Sequence, residues 1–147
     1  MGVPREPNGN DGAREAPSMS SGERDLDTIL ATMDVARRPG AFAYLQVVAG
    51  TTPPPGAAAM IDEGATTTYV VAADSPAAAG ATFRAAWLTI TVRTALDGVG
   101  LTAALATALA AEEIPANVLA GFSHDHVLVP EARADAAVAA LLALTGR

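Results

Sequence analysis

Hydrophobic and polar positions alternate most regularly in the second half of the chain. Residues 87–93 read WLTITVR, with Leu88 on one face and Trp87 on the other, which predicts a half-buried strand. The Gly-containing segment 97–100 breaks this strand, and apolar residues then recur every three or four positions over 101–112, which predicts a helix. Two strands and a final helix are predicted after it, at 115–122, 126–129 and 131–144.

The first half shows a weaker pattern of the same kind. Residues 1–20 are polar and rich in Gly and Pro, which predicts a disordered tail. Ser20 and Glu23 have the spacing of a capping box ahead of an apolar stripe, which predicts one short helix. Three consecutive prolines at 53–55 then separate the predicted strands, because proline donates no ladder hydrogen bond. These strands are placed at 41–48, 57–61 and 66–72.

The order of elements from residue 85 onward is β-α-β-β-α, which lacks one strand of a ferredoxin-like βαββαβ unit. Only three residues follow Leu144, too few for an ordinary sheet strand. The missing strand is expected from the N-terminal half of the chain or from a second subunit, and sharing between two halves is the favoured alternative. The predicted fold class is therefore α+β, with an N-terminal half at 21–80 and a C-terminal domain at 81–147.

Composition limits the core and the partners. The chain has 147 residues, of which 50% are hydrophobic but only 4% aromatic, so the core must be built from Leu, Val, Ile and Ala. The net charge of −7 argues against nucleic acid, whose binding proteins present a basic face.

Two residue types are absent, and each absence excludes a class of chemistry. The chain has no Cys, which excludes thiol nucleophiles, redox pairs and Cys-ligated clusters. All nine basic residues are Arg, so no lysine is present to form a Schiff base or a P-loop. No cofactor is expected. The most apolar runs, 101–111 and 136–144, are shorter than the roughly 18–20 residues of a membrane span, and residues 1–20 show no signal-peptide pattern. The prediction is a cytoplasmic protein without a membrane partner.

Residues 88–130 resemble an ACT domain, and in detail the tandem ACT region of aspartokinases. In that family a strand leads through a Pro-Gly loop into a helix, and an alanine-rich helix end followed by Ile and Asn leads into the second strand. The counterparts here are Val99-Gly100 and the segment 114–118, with Val99 in place of the usual proline. Together with residues 23–72, the chain is similar to small stand-alone proteins with two ACT-like halves.

The resemblance implies a non-catalytic regulatory module that binds an amino acid or a similar small metabolite, commonly where two ACT units meet, and hence a possible homodimer. The glycine backbones of the 97–102 loop also permit close approach of a ligand, and the start of the following helix presents free N–H groups to a carboxylate. The alternative is that these glycines only permit a tight turn that Asp97 caps, and that Asn117 bonds its own backbone. The expected ligand-binding residues are Asp97, Gly98, Val99, Gly100, Leu101, Thr102, Asn117 and Val118.

The two histidines, His124 and His126, are two residues apart and share a face if the segment is extended, so they are weak candidates for a metal site. A third ligand would have to be a carboxylate such as Glu112 or Glu131. The alternative is a polar turn before the last strand. Ser123, His124 and Asp125 are not a catalytic triad, because three consecutive residues cannot align nucleophile, base and orienting group.

Three functions therefore compete. The first is an amino-acid sensor, and the second is a dimerisation or interaction module that docks on a partner enzyme without a ligand of its own. The third is a metal-dependent enzyme centred on His124 and His126, which has too few ligands. The sequence favours the first function and predicts no enzymatic activity.

Overall fold

The computed structural model of the chain describes residues 22–146. The predicted disordered tail, residues 1–20, lies outside the described residues. The helices are α1 (Leu26–Thr32), α2 (Leu101–Ala111) and α3 (Ala134–Leu142), and the strands are β1 (Val35–Arg37), β2 (Phe42–Val48), β3 (Ala59–Asp62), β4 (Thr66–Ala72), β5 (Arg84–Ile90), β6 (Asn117–Ala120) and β7 (Asp125–Pro130). Short 3-10 turns at Pro76–Ala78 and Glu131–Arg133 precede β5 and α3.

The strands form one antiparallel sheet in the order β3-β4-β2-β5-β7-β6, with β1 beside β5. Strand β5 pairs with β2 at its start, where Ala85 faces Phe42, and with β1 at its end, where Ile90 faces Val35. Gly40, with a φ of +81°, lies between β1 and β2, at the point where the chain passes from one pairing to the other.

This pairing supplies the strand that the C-terminal βαββα unit lacks. In a ferredoxin-like unit the fourth strand lies beside the first, and β1 takes that position next to β5. Strand β5 also lies beside β2 in the N-terminal half, where the order β5-β2-β4-β3 repeats the same arrangement. A proline loop and a 3-10 turn stand there in place of the two helices. The predicted α+β, ferredoxin-like fold with shared strands is confirmed, whereas the missing strand itself, β1, falls in a segment where the sequence predicted none.

The helices cover one face of the sheet. Leu88 and Ile90 of β5 lie under this layer, and Leu105 and Leu109 of α2 pack onto them, all fully buried. The first helix contributes Ile29, which is also buried. The core is thus built from aliphatic side chains, as the composition predicts.

The opposite face carries no helix in the described part of the chain, yet its centre around Trp87 is buried. Trp87 is only 5% exposed and packs 5.3 Å from the ring of Phe42. The guanidinium of Arg38 lies 5.1 Å from both ring centroids and covers them. The prediction of a half-buried strand at 87–93 is therefore wrong in two respects. The strand runs over 84–90, and both of its faces are buried because the helices cover one face while Phe42 and Arg38 cover Trp87 on the other.

The starts of the first and last helices differ from the prediction, and the last begins at Ala134 and not at 131 because a 3-10 turn comes first. The first helix begins at Leu26, where the carboxylate of Asp25 accepts a hydrogen bond of 2.8 Å from the Thr28 amide. Glu23 does not act in a capping box but pairs with Thr94, and Ser20 lies outside the described residues. Asp25 takes the capping role because its short side chain reaches the first free amides of the helix. Within residues 22–146, no helix is both long and apolar enough to cross a membrane.

Candidate functional site

The loop between β5 and α2 is held by the segment that precedes the first helix. Residues 22–24, here called the strap, run beside residues 93–95. The Glu23 amide donates to the Arg93 carbonyl and the Glu23 carbonyl accepts from the Ala95 amide, both at 2.9 Å. A side chain at Gly22 is excluded, because a Cβ there would lie 2.3 Å from the Thr94 carbonyl carbon. The strap therefore fixes the first part of the loop.

Asp97 also contacts the strap. Its carboxylate accepts two hydrogen bonds from the Arg24 guanidinium, at 2.9 and 3.2 Å. These hydrogen bonds are the main reason why the pKa of Asp97 is lowered. Both side chains are more than half exposed, so the pair adds little stability by itself. Asp97 lies beside the strap and does not line the cavity described below.

Helix α2 begins without a side-chain cap. Gly100 is the N-cap residue, with a φ of +103°, and its carbonyl accepts from the Ala104 amide at 2.9 Å. A Cβ at this position would lie 2.8 Å from Cδ2 of Leu26. Glycine is required here for two reasons, the left-handed backbone and the close approach of the first helix. Since no side chain bonds to them, the first amides of α2 are available to a ligand.

A cavity of about 590 Å³ opens at this end of the sheet. It lies between the β5–α2 loop, the start of α2 and the turn between β6 and β7. Five of the eight predicted ligand-binding residues line it: Gly98, Val99, Gly100, Leu101 and Thr102. The remaining lining residues are Ile29, Thr94, Ala95, Leu96, Ala103, Ala106, Ala120, Gly121 and Asp125.

The structure does not bring Asn117 and Val118 to this cavity. Both lie at the start of β6, whereas Ala120, at the other end of that strand, lines the cavity. The Asn117 side chain donates to the Leu128 carbonyl at 3.5 Å, and Val118 packs against the helix-side core.

Thr94 and Asp125 are cavity residues that the sequence reasoning missed. The Thr94 hydroxyl donates to the Asp125 carboxylate at 3.1 Å, which ties the end of the β5 segment to the start of β7. The topology contains the information needed to find them. In an antiparallel β5–β7 pair, the turn before β7 lies at the end of the sheet where β5 stops, so Asp125 must lie near the 94–102 loop.

The two histidines do not converge with the carboxylates proposed beside them. Nδ1 of His126 lies 3.0 Å from the Thr89 hydroxyl, and its ring packs 5.3 Å from Trp87. Burial, and secondarily the charge of His124, lowers the pKa of His126. Glu131 is paired with Arg84 at 2.8 Å. In the part of the chain that the structure describes, no group of three or more His, Asp or Glu side chains is arranged to hold a metal ion.

Comparison with known proteins identifies the family. A model of the ACT domain matches residues 82–143. A protein of unknown function from Vibrio cholerae, described as a possible transport protein, has 30% sequence identity and a TM-score of 0.69. The likeness covers 82% of this chain and 95% of that one. No curated protein matches the sequence.

Two further structures share the fold at lower identity. A protein from Agrobacterium tumefaciens has 16% identity and a TM-score of 0.59, over 77% of this chain and 89% of that one. The aspartokinase alpha and beta subunits have 15% identity and a TM-score of 0.56, over 78% of this chain and 98% of that one. The shared strand order, the match over 82–143 and the Vibrio relative together show that this chain belongs to the ACT-domain family.

Proposed function

We propose that this chain is a non-catalytic regulatory protein of the ACT type, and that it binds a free amino acid in the cavity beside α2. ACT domains, the family to which the matched residues 82–143 belong, generally bind small molecules such as amino acids.

One observation supports the proposal: the same cavity is lined by the free amides at the start of α2 and by one carboxylate side chain. The uncapped amides of Leu101, Thr102 and Ala103 supply hydrogen-bond donors and the positive end of the helix dipole. The carboxylate of Asp125 lines the same cavity and is half-buried. A zwitterion satisfies both at once, which neither an anion nor a cation does.

The lining residues favour binding over catalysis. Among those the structure describes, Asp125 is the one ionisable side chain. General acid–base catalysis needs a group that exchanges a proton with the substrate, and nucleophilic catalysis needs an adjacent base. Thr94 donates to Asp125, but no histidine lines the cavity to complete a triad.

The test is a thermal-shift measurement on the full chain with each of the twenty amino acids. A ligand at a hundredfold excess over its Kd adds about 2.7 kcal/mol to the free energy of unfolding, which corresponds to a shift on the order of 10 °C for a domain of this size. Asp125→Asn should remove most of the shift. Asp135→Asn is the matched control, because Asp135 is exposed on α3, lies outside the cavity and makes the same change of charge.

A second function is favoured by the apolar rim of the cavity. Leu96 and Val99 are 68% and 85% exposed, and Phe122, which follows the lining residue Gly121, is 61% exposed. Exposed apolar side chains that lie together are typical of protein contact surfaces. If none of the amino acids shifts the melting temperature, docking on a partner protein, or on a second copy in a homodimer, becomes the better account of this surface.

A further inference from the structure

The lining of the cavity also indicates which kind of amino-acid side chain the cavity can bind. This inference rests on the proposed function, since it assumes that the carboxylate lies at the start of α2 and the ammonium at Asp125. Once these two groups are placed, no ionisable side chain remains among the described lining residues to meet a third charge. A charged side chain would therefore lose its hydration without gaining a partner.

Thr94, whose hydroxyl bonds to Asp125, and Thr102 add hydroxyl groups to the described lining, and the other side chains that remain are aliphatic. Ile29 forms a buried floor, only 2% exposed, and Ala103, Ala106 and Ala120 present methyl groups from α2 and β6. Leu96 stands exposed at the rim with Val99, and no aromatic ring belongs to the described lining. The aliphatic walls stabilise an aliphatic group by removing its surface from water, and they offer neither hydrogen bonds nor ring stacking for a polar or aromatic one.

The cavity exists because the residues of α2 that line it are small. Methyl groups line α2 at Ala103 and Ala106, where a helix of larger residues would fill the cavity. The volume of about 590 Å³ lies within the ordinary range of small-ligand sites, about 300–1,000 Å³.

We infer that the ligand of this cavity is an amino acid with an uncharged aliphatic side chain, which lies against Ile29, Ala106 and Ala120 beneath the rim of Leu96 and Val99. The side chain of the ligand completes an apolar surface that is otherwise open to solvent. Each methylene that the cavity covers contributes about fourfold in affinity.

The experiment is isothermal titration calorimetry on the full chain with two matched series. In the first, alanine, valine and leucine should show Kd values that fall about fourfold per added carbon. In the second, norleucine is compared with lysine, which differs from it by the terminal ammonium group, and lysine should bind at least tenfold more weakly. A lysine or glutamate Kd below that of leucine would overturn the inference and leave amino-acid binding intact. Absence of binding by any amino acid would instead overturn the proposed function.

A variant tests where the side chain lies. Ala106→Leu fills the proposed subsite from an exposed helix position, and it should weaken leucine binding at least tenfold while changing alanine binding less than threefold. Ala110→Leu is the matched control, because Ala110 is also exposed on α2 but does not line the cavity. If Ala106→Leu folds with a normal melting temperature and binds leucine with unchanged Kd, the aliphatic side chain does not occupy this wall and the inference fails.

Discussion

The Thr94 hydroxyl donates a hydrogen bond of 3.1 Å to the Asp125 carboxylate, across the gap between the loop after β5 and the first residue of β7. The bond restrains the one ionisable side chain of the described cavity lining. It also leaves the remaining lone pairs of the carboxylate free to accept from a ligand. The position of Asp125 thus depends on Thr94, a second residue of the same cavity lining.

The first prediction concerns this bond. Thr94→Val removes the hydroxyl and keeps the shape, so the free energy of unfolding should fall by about 0.5–1.5 kcal/mol and ligand affinity by several-fold. Chemical denaturation and calorimetry measure the two effects. Thr107→Val is the control, because Thr107 is exposed on α2 and outside this cavity. An affinity that does not change in Thr94→Val would show that the bond does not position Asp125.

The second prediction concerns the strap. Gly22→Ala forces a methyl group against the Thr94 backbone, and overpacking of this kind costs about 1–3 kcal/mol. Hydrogen exchange should also become faster at the Ala95 amide, which donates to Glu23. Gly146→Ala serves as the control, since a Cβ at Gly146 meets no atom within 4 Å. Equal exchange rates in the two variants would mean that the strap does not fix the loop.

The third prediction separates the two demands on Gly100. Gly100→Ala should lower the melting temperature both through its positive φ and through contact with Leu26. Adding Leu26→Ala relieves only the contact, so the cost of Gly100→Ala should be smaller in the Leu26→Ala background, but not zero. A full cost in both backgrounds would assign the whole effect to the backbone conformation.

The fourth prediction concerns pH. Burial holds the pKa of His126 below its usual 6.5, so the folded chain binds this proton less readily than the unfolded chain. The stability that depends on neutral His126 is therefore complete above about pH 6.5 and is lost as the pH falls toward the lowered pKa. Denaturant unfolding between pH 8 and pH 5 should show this decline, and His126→Gln should flatten it. A His126 imidazole that titrates above 6.5 by NMR would contradict the sign.

The fifth prediction concerns strand sharing. Residues 81–147, expressed alone, should fail to form a stable monomer, because they lack β1 and β2, which pair with β5. They also lack Ile29 and Met33, which are buried in the helix-side core. We therefore propose that the boundary at residue 80 separates two halves that do not fold independently. A well-dispersed NMR spectrum from a monomeric fragment would contradict it.

Local patterns predicted much of the fold from the sequence. The periodicity of 101–112 placed α2 within one residue of its bounds, because its leucines recur at the spacing of one helical face. Strand β1 escaped prediction because three residues carry too little alternation to be recognised. The burial of Trp87 escaped it because Arg38, distant in the sequence from Trp87, covers the ring.

The part of the candidate site that is local in sequence could also be predicted. The loop glycines and the start of α2 are contiguous in sequence, and Gly98 to Thr102 all line the cavity. From the sequence, Gly100 was expected to let a ligand approach the backbone. The structure shows that Leu26 also lies beside Gly100. Asn117 was placed in the site because it lies on the strand that follows α2, while pairing of β6 with β7 puts it at the far end of that strand.

The most direct test of amino-acid binding is an NMR titration of the ¹⁵N-labelled full chain with leucine. The account predicts saturable shifts at the amides of Leu101, Thr102 and Ala103 and at Thr94 and Asp125, with little change at Asn117. It also predicts that Asp125→Asn weakens binding of leucine far more than binding of 4-methylpentanoate, which lacks the ammonium group. Shifts confined to other parts of the chain, or no shifts with any amino acid, would contradict the assignment of this cavity.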